Sequence, residues 1–142
     1  MNRFARYLVP FAAAAMLGAC GIRESFKDTE VEVAQFHAAL DAGKTQKIWT
    51  AADPDLRKAT SREQFEKLLD AVRRKLGKVT ASEQVGWNAN ATSAGTFLTV
   101  TMQTTFEKGS GTEQFVYRKG KGEGARPTLV GYHIQSQEMM LN

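Results

Sequence analysis

The spacing of apolar residues changes once along this chain, at Gly77, and that change restricts the fold more than any other feature. Before it the spacing is helical. Val33, Phe36, His37 and Leu40 fall at i, i+3, i+4 and i+7, and Phe65, Leu68, Leu69, Val72 and Leu76 form a second stripe. After it the period is two. Leu98, Val100, Met102, Thr104 and Phe106 share one face of a long strand, while Phe97, Thr99, Thr101, Gln103 and Thr105 share the other. Helices followed by consecutive strands predict an α+β domain, with N-terminal helices packed on one face of a curved four-stranded antiparallel sheet.

Punctuation residues set the expected boundaries. Asp28 and Thr29 are good N-caps for the first helix, with Glu30 and Glu32 placed for its dipole, and Gly43 suits its end. Lys44 to Ala52 reads as a further helical piece carrying Ile48 and Trp49 inward. Asp53-Pro54 breaks it, because the residue before proline is driven out of the α region, and Pro54 opens a short turn over Asp55–Ala59. Thr60 and Ser61 cap the next helix, with Glu63 and Gln64 in capping-box position; Arg73, Arg74 and Lys75 lie at its cation-favouring end before Gly77. The expected strands are Val79–Trp87, Thr96–Glu107, Thr112–Lys119 and Thr128–Ser136. They are joined by a turn at Asn88–Ala94, a hairpin connection at Lys108–Gly111 and a glycine-rich loop at Gly120–Pro127. The domain is expected over 28–137, with 138–142 as a tail.

The N-terminus carries a different message. Arg3 and Arg6 precede an apolar run from Tyr7 to Ala19, the order of a secretory signal peptide. That run is shorter than the roughly 20 residues needed to span a bilayer, and Pro10 interrupts it. It closes on Leu17-Gly18-Ala19-Cys20, which resembles the lipobox of bacterial lipoproteins. The resemblance implies a signal peptide over 1–19, Cys20 as the lipidated first residue, and a tether over 20–27. It also implies membrane attachment through lipid, in the bacterial cell envelope and facing the periplasm. Gly21 rather than aspartate after the cysteine resembles lipoproteins sent to the outer membrane.

Composition narrows function mainly by exclusion. Removing 1–19 leaves 123 of 142 residues, enough for one core. It also takes two arginines, leaving 17 Lys+Arg against 15 Asp+Glu, a formal +2. So small and dispersed an excess predicts no nucleic-acid binding. Cys20 is the only cysteine, so no disulfide is expected. His37 and His133 are the only histidines and zinc spacings are missing, so neither metal nor cofactor is expected. Ser110 lies between glycines but in a hairpin connection, not the strand-to-helix turn of a nucleophile elbow. The glycines at 120, 122 and 124 lack the strand–loop–helix setting of a phosphate loop.

Several stretches together resemble the small bacterial domains of unknown function in the cystatin-like, nuclear-transport-factor-2-like superfamily. They are Leu40-Asp41-Ala42-Gly43-Lys44, the helix start Ser61-Arg62-Glu63-Gln64-Phe65, the exit Leu76-Gly77-Lys78-Val79 and the strand order after it. The resemblance covers residues 30 to 137 and implies a cone whose mouth holds a ligand, an active site or nothing. Val33, Phe36, His37, Asp41, Trp49, Trp87 and His133 are the candidate cavity residues. The leading expectation is a non-enzymatic lipoprotein that binds a protein or another envelope component. Alternatives are a carrier or sensor of a small hydrophobic molecule, an inhibitor or immunity-type protein, a homodimer through the open sheet face, and an enzyme. In the last, His37 would act as general base with Asp41 one turn away.

Overall fold

The computed structural model describes residues 9–122 and 124–141, with side chains from residue 21 onward. Arg3 and Arg6 of the expected signal peptide, and the side chain of Cys20, lie outside the described residues. The element order is α1 (Val9–Asp41), α2 (Thr45–Ala51), α3 (Pro54–Ala59), α4 (Arg62–Leu76), β1 (Val79–Thr92), β2 (Gly95–Phe106), β3 (Gly109–Arg118), β4 (Thr128–Gln135) and α5 (Gln137–Leu141). The four strands form one antiparallel meander in the order β1-β2-β3-β4, and the helices pack on one of its faces. This is the α+β arrangement expected from the switch in period. Among the described residues, no helix is long and apolar enough to cross a membrane.

The core lies between the α1 and α4 stripes and the core-facing residues of β2 and β3. Leu40, Leu69, Val72, Leu76, Val100 and Phe115 are fully buried there. α4 starts and stops where its sequence dictates. Ser61 Oγ accepts from Gln64 N at 3.2 Å, and Gly77, at φ +79°, takes a backbone conformation that a side chain would strain. The chain leaving α4 is joined to the β2–β3 turn: Glu107 N donates to Lys78 O, Lys108 N to Leu76 O, and Lys78 N to Glu107 Oε1. Asp53 caps α3 by accepting from Asp55 N at 2.9 Å, with Pro54 at the first helical position.

Four boundaries differ from expectation. The helix expected from Asp28 or Thr29 begins far earlier, and Gly21–Lys27, read as a tether, is helical and continuous with it. Two hydroxyls within this stretch bond back into the helix: Ser25 Oγ donates to Gly21 O and Thr29 Oγ1 to Phe26 O. The expected turn at Asn88–Ala94 shrinks to Ser93 and Ala94. Asn88 to Thr92 pair with Thr99 to Gly95, so the partner strand overrides the weak β preference of Asn and Ala. The β2–β3 connection is Glu107-Lys108 alone, with Phe106 opposite Gly109 and Gly109–Gly111 already in β3. The tail expected at 138–142 is helical as α5 through Leu141. Lys75 Nζ donates to Met139 O at 3.0 Å, and Met139 packs on the core.

Candidate functional site

The period-two pattern of β3 places Gly111, Glu113, Phe115 and Tyr117 on the core-facing side, so a carboxylate lands among apolar neighbours. Burying it is costly unless hydrogen-bond partners surround it. Glu113 is fully buried and has three. Oε1 lies 2.7 Å from His37 Nε2 on α1 and accepts from Thr104 Oγ1 on β2 at 2.5 Å. Oε2 accepts from Tyr132 OH on β4 at 2.6 Å. Ser82 Oγ on β1 lies 2.8 Å from Thr104 Oγ1. A polar line therefore crosses the whole sheet, with one side chain from each strand and a histidine from the covering helix. With Glu113 as carboxylate, all three direct neighbours donate and His37 carries its proton on Nε2.

Aromatic rings seal this line. Phe36 meets Phe115 edge-on at 5.0 Å and Tyr132 at 4.7 Å between centroids, and the His37 ring stands edge-on to Phe115 at 5.8 Å. Burial, the Glu113 charge and the hydrogen bond to it, in that order, hold the Tyr132 phenol well above its ordinary pKa. His37 is only 7 % exposed. Buried polar groups that satisfy one another specify how a helix sits on a sheet.

The second feature is a groove of about 470 Å³ between α1, α2 and the start of β4. Its walls are Phe36, Ala38, Ala39 and Ala42 of α1, Ile48 and Ala51 of α2, and Pro127 and Leu129. At one end Arg126 pairs with Glu32 at 2.7 Å and also bonds Gln35. At the other lie Lys44 and Lys47, neither with a side-chain ion pair among the described residues. Tyr117, 2 % exposed, lines the groove. Burial first, then the charges of Glu32 and Glu113, push its pKa up and keep its proton in place.

A third cluster is structural in character. Buried Asp53 accepts from Arg118 through both oxygens, at 3.0 and 3.1 Å, and from Thr128 Oγ1 at 2.7 Å, while its own N–H donates to Leu129 O. Arg118 also bonds Asp55 and stands 5.1 Å from the Phe97 ring centroid. That set ties the α2–α3 corner to β3 and β4.

The structure disperses the candidate cavity residues. Val33 and Phe36 are core, and Phe36 alone of the seven lines the groove. The acidic partner of His37 is Glu113, not Asp41. Asp41 Oδ1 instead accepts from Val79 N at 3.1 Å and fixes the start of β1. Trp49 is half-buried against Phe65, at 5.8 Å between centroids. Trp87 is 61 % exposed and touches Phe26 edge-on at 4.9 Å. His133, opposite Gln114, is exposed on the other face of β4. His37 and His133 therefore do not meet in one cavity.

Sequence reasoning missed Glu113, Thr104 and Tyr132, although one signal was present. Glu113 shares its parity with Phe115 and Tyr117, and a charge on an apolar face requires a buried partner. Lys44, Lys47 and Tyr117 carried no comparable signal, since the groove exists only where α2 folds back along α1. Among the described residues, no cluster of three metal-ligating side chains forms.

A family model described as a protein of unknown function (DUF4019) matches residues 32–132. No curated protein and no solved structure matches the chain.

Proposed function

The chain belongs to the DUF4019 family of proteins of unknown function, and we propose that it is an envelope lipoprotein, anchored through Cys20, whose single domain binds an envelope component without catalysing a reaction. The observation that carries the binding half is the preformed groove between α1, α2 and β4, whose volume falls in the range of about 300–1,000 Å³ common for small-molecule sites. The anchoring half rests on Leu17-Gly18-Ala19-Cys20 closing an apolar run that follows Arg3 and Arg6. Two or more acyl chains on Cys20 hold a protein to a bilayer where one chain binds only reversibly. Gly21 after the cysteine favours the outer membrane. Kinship with cystatin-like domains is part of this proposal and is supported by helices lying over one face of a four-stranded meander.

A general-base role for His37 has less in its favour. Its ring is packed between helix and sheet against Glu113, and the groove is lined by neither residue. Such a hydrogen-bonded pair holds α1 on the sheet without any substrate.

Two measurements test the proposal. Cells fed an alkyne fatty acid are expected to label the wild-type chain and not Cys20→Ser, with the label in the membrane fraction. Chemical crosslinking of the natively anchored protein is expected to capture a specific envelope component that the Cys20→Ser control does not. Equal labelling of both forms would overturn the anchor. Substrate turnover that disappears on substitution of His37 would overturn the non-catalytic reading.

A further inference from the structure

Resting on the binding role proposed above, we infer that the groove holds a single-chain amphiphile with an anionic head. Its hydrocarbon chain lies along the alanine wall of α1, and its carboxylate or phosphate head lies at Lys44 and Lys47.

The dimensions suit an extended chain. The wall runs along α1 from Glu32 to Ala42, a length of about 15 Å at the rise of an α-helix. The groove volume of about 470 Å³ falls within the range of about 300–1,000 Å³ of small-molecule sites, so an unbranched hydrocarbon chain can lie along the wall. The three α1 alanines, Ala38, Ala39 and Ala42, keep the trough open because none projects beyond a methyl group.

The charges orient the ligand. At the Arg126 end the guanidinium is already engaged by Glu32 and Gln35, so that end is closed by a neutralised pair. Lys44 and Lys47 supply two unopposed ammonium groups at the other mouth, where an anionic head keeps its solvent contact while its tail leaves water. The Tyr117 side chain lines the groove, and its hydroxyl can donate to an oxygen carried by the ligand.

The test uses the full, anchored chain in nanodiscs with three diazirine-bearing sixteen-carbon probes: a carboxylic acid, a phosphate monoester and an alcohol. The acid or the phosphate is expected to label peptides within Ala38–Ala51 at least fivefold more than the alcohol, and which of the two does so identifies the head. Ala42→Trp, which fills the trough, and Lys44→Glu/Lys47→Glu, which reverses its mouth, are each expected to cut that labelling at least fivefold. The lysine pair is exposed, so it tests the inference even if Ala42→Trp does not fold. Equal labelling by the alcohol, or labelling indifferent to the lysine pair, overturns the inference. A photoreactive amino acid at Ala51 in cells separates the two levels. A protein adduct without lipid keeps the binding role and overturns this ligand class, whereas no adduct of any kind overturns both.

Discussion

Glu113 Oε1 lies 2.7 Å from His37 Nε2, joining two residues 76 positions apart across the helix–sheet interface. Glu113 is the point where α1, β2 and β4 converge on β3, since Thr104 and Tyr132 donate to the same carboxylate. Removing it leaves His37, Thr104 and Tyr132 without their shared partner. Glu113→Ala is expected to destabilise the fold by about 3–5 kcal/mol, the range for breaking a buried pair from one side. Glu113→Gln, which keeps one acceptor oxygen and the shape, is expected to cost less. Urea unfolding of both variants at one pH checks the order, and an Ala variant as stable as wild type would refute the role.

The same cluster sets an alkaline limit. The folded state holds the Tyr132 proton more tightly than the unfolded chain does, whose phenol titrates near 10.0. Its contribution is therefore complete below pH 10 and is lost as pH rises through the folded value. Urea midpoints between pH 8 and 11.5 are expected to hold steady and then fall, and Tyr132→Phe is expected to flatten that fall. Tyr117 shifts in the same direction and gives the remaining slope.

Gly77 occupies φ +79°, and a Cβ there would meet Glu107 at 3.0 Å. Gly77→Ala strains the backbone and crowds the residue that bonds Lys78 N. The expected cost is about 1–3 kcal/mol, typical of a sparsely populated conformation. Thermal unfolding measures it, and Gly21→Ala, in helical backbone with open space around it, is the control expected to be neutral or stabilising.

Trp49 and Trp87 report on different environments. Trp87, 61 % exposed, is expected to emit at longer wavelength and to be quenched readily by iodide. Trp87→Phe should leave the blue-shifted, protected emission of Trp49, packed against Phe65. Similar quenching of the two residues would contradict their placement.

Asp53 combines an N-cap with a charge pair. Losing the cap costs about 1 kcal/mol. Asp53→Ala also strands Thr128 and Arg118, so it is expected to destabilise more than Asp53→Asn, which retains an acceptor for Asp55 N. Denaturation midpoints of the two variants check the order.

What was legible in the sequence was local. Ser61, Asp53, Gly43 and Gly77 act where they stand, because caps and left-handed stops depend on a few neighbouring residues. The change of period at Gly77 likewise determined the α+β class, since each face must find an apolar partner. The tertiary structure decided everything that depends on a distant chain. β1 runs to Thr92 because β2 offers a ladder of matching length, not because Asn and Ala prefer strands. His37 turned from Asp41, its neighbour in sequence, to Glu113, because the sheet brings a buried carboxylate within hydrogen-bond reach while Asp41 serves the first amide of β1. The groove arises where α2 folds back along α1 beside β4, so its alanines and lysines carry meaning only after packing. Local preferences act over a few residues, whereas partners and cavities follow from the one arrangement that buries every apolar face at once.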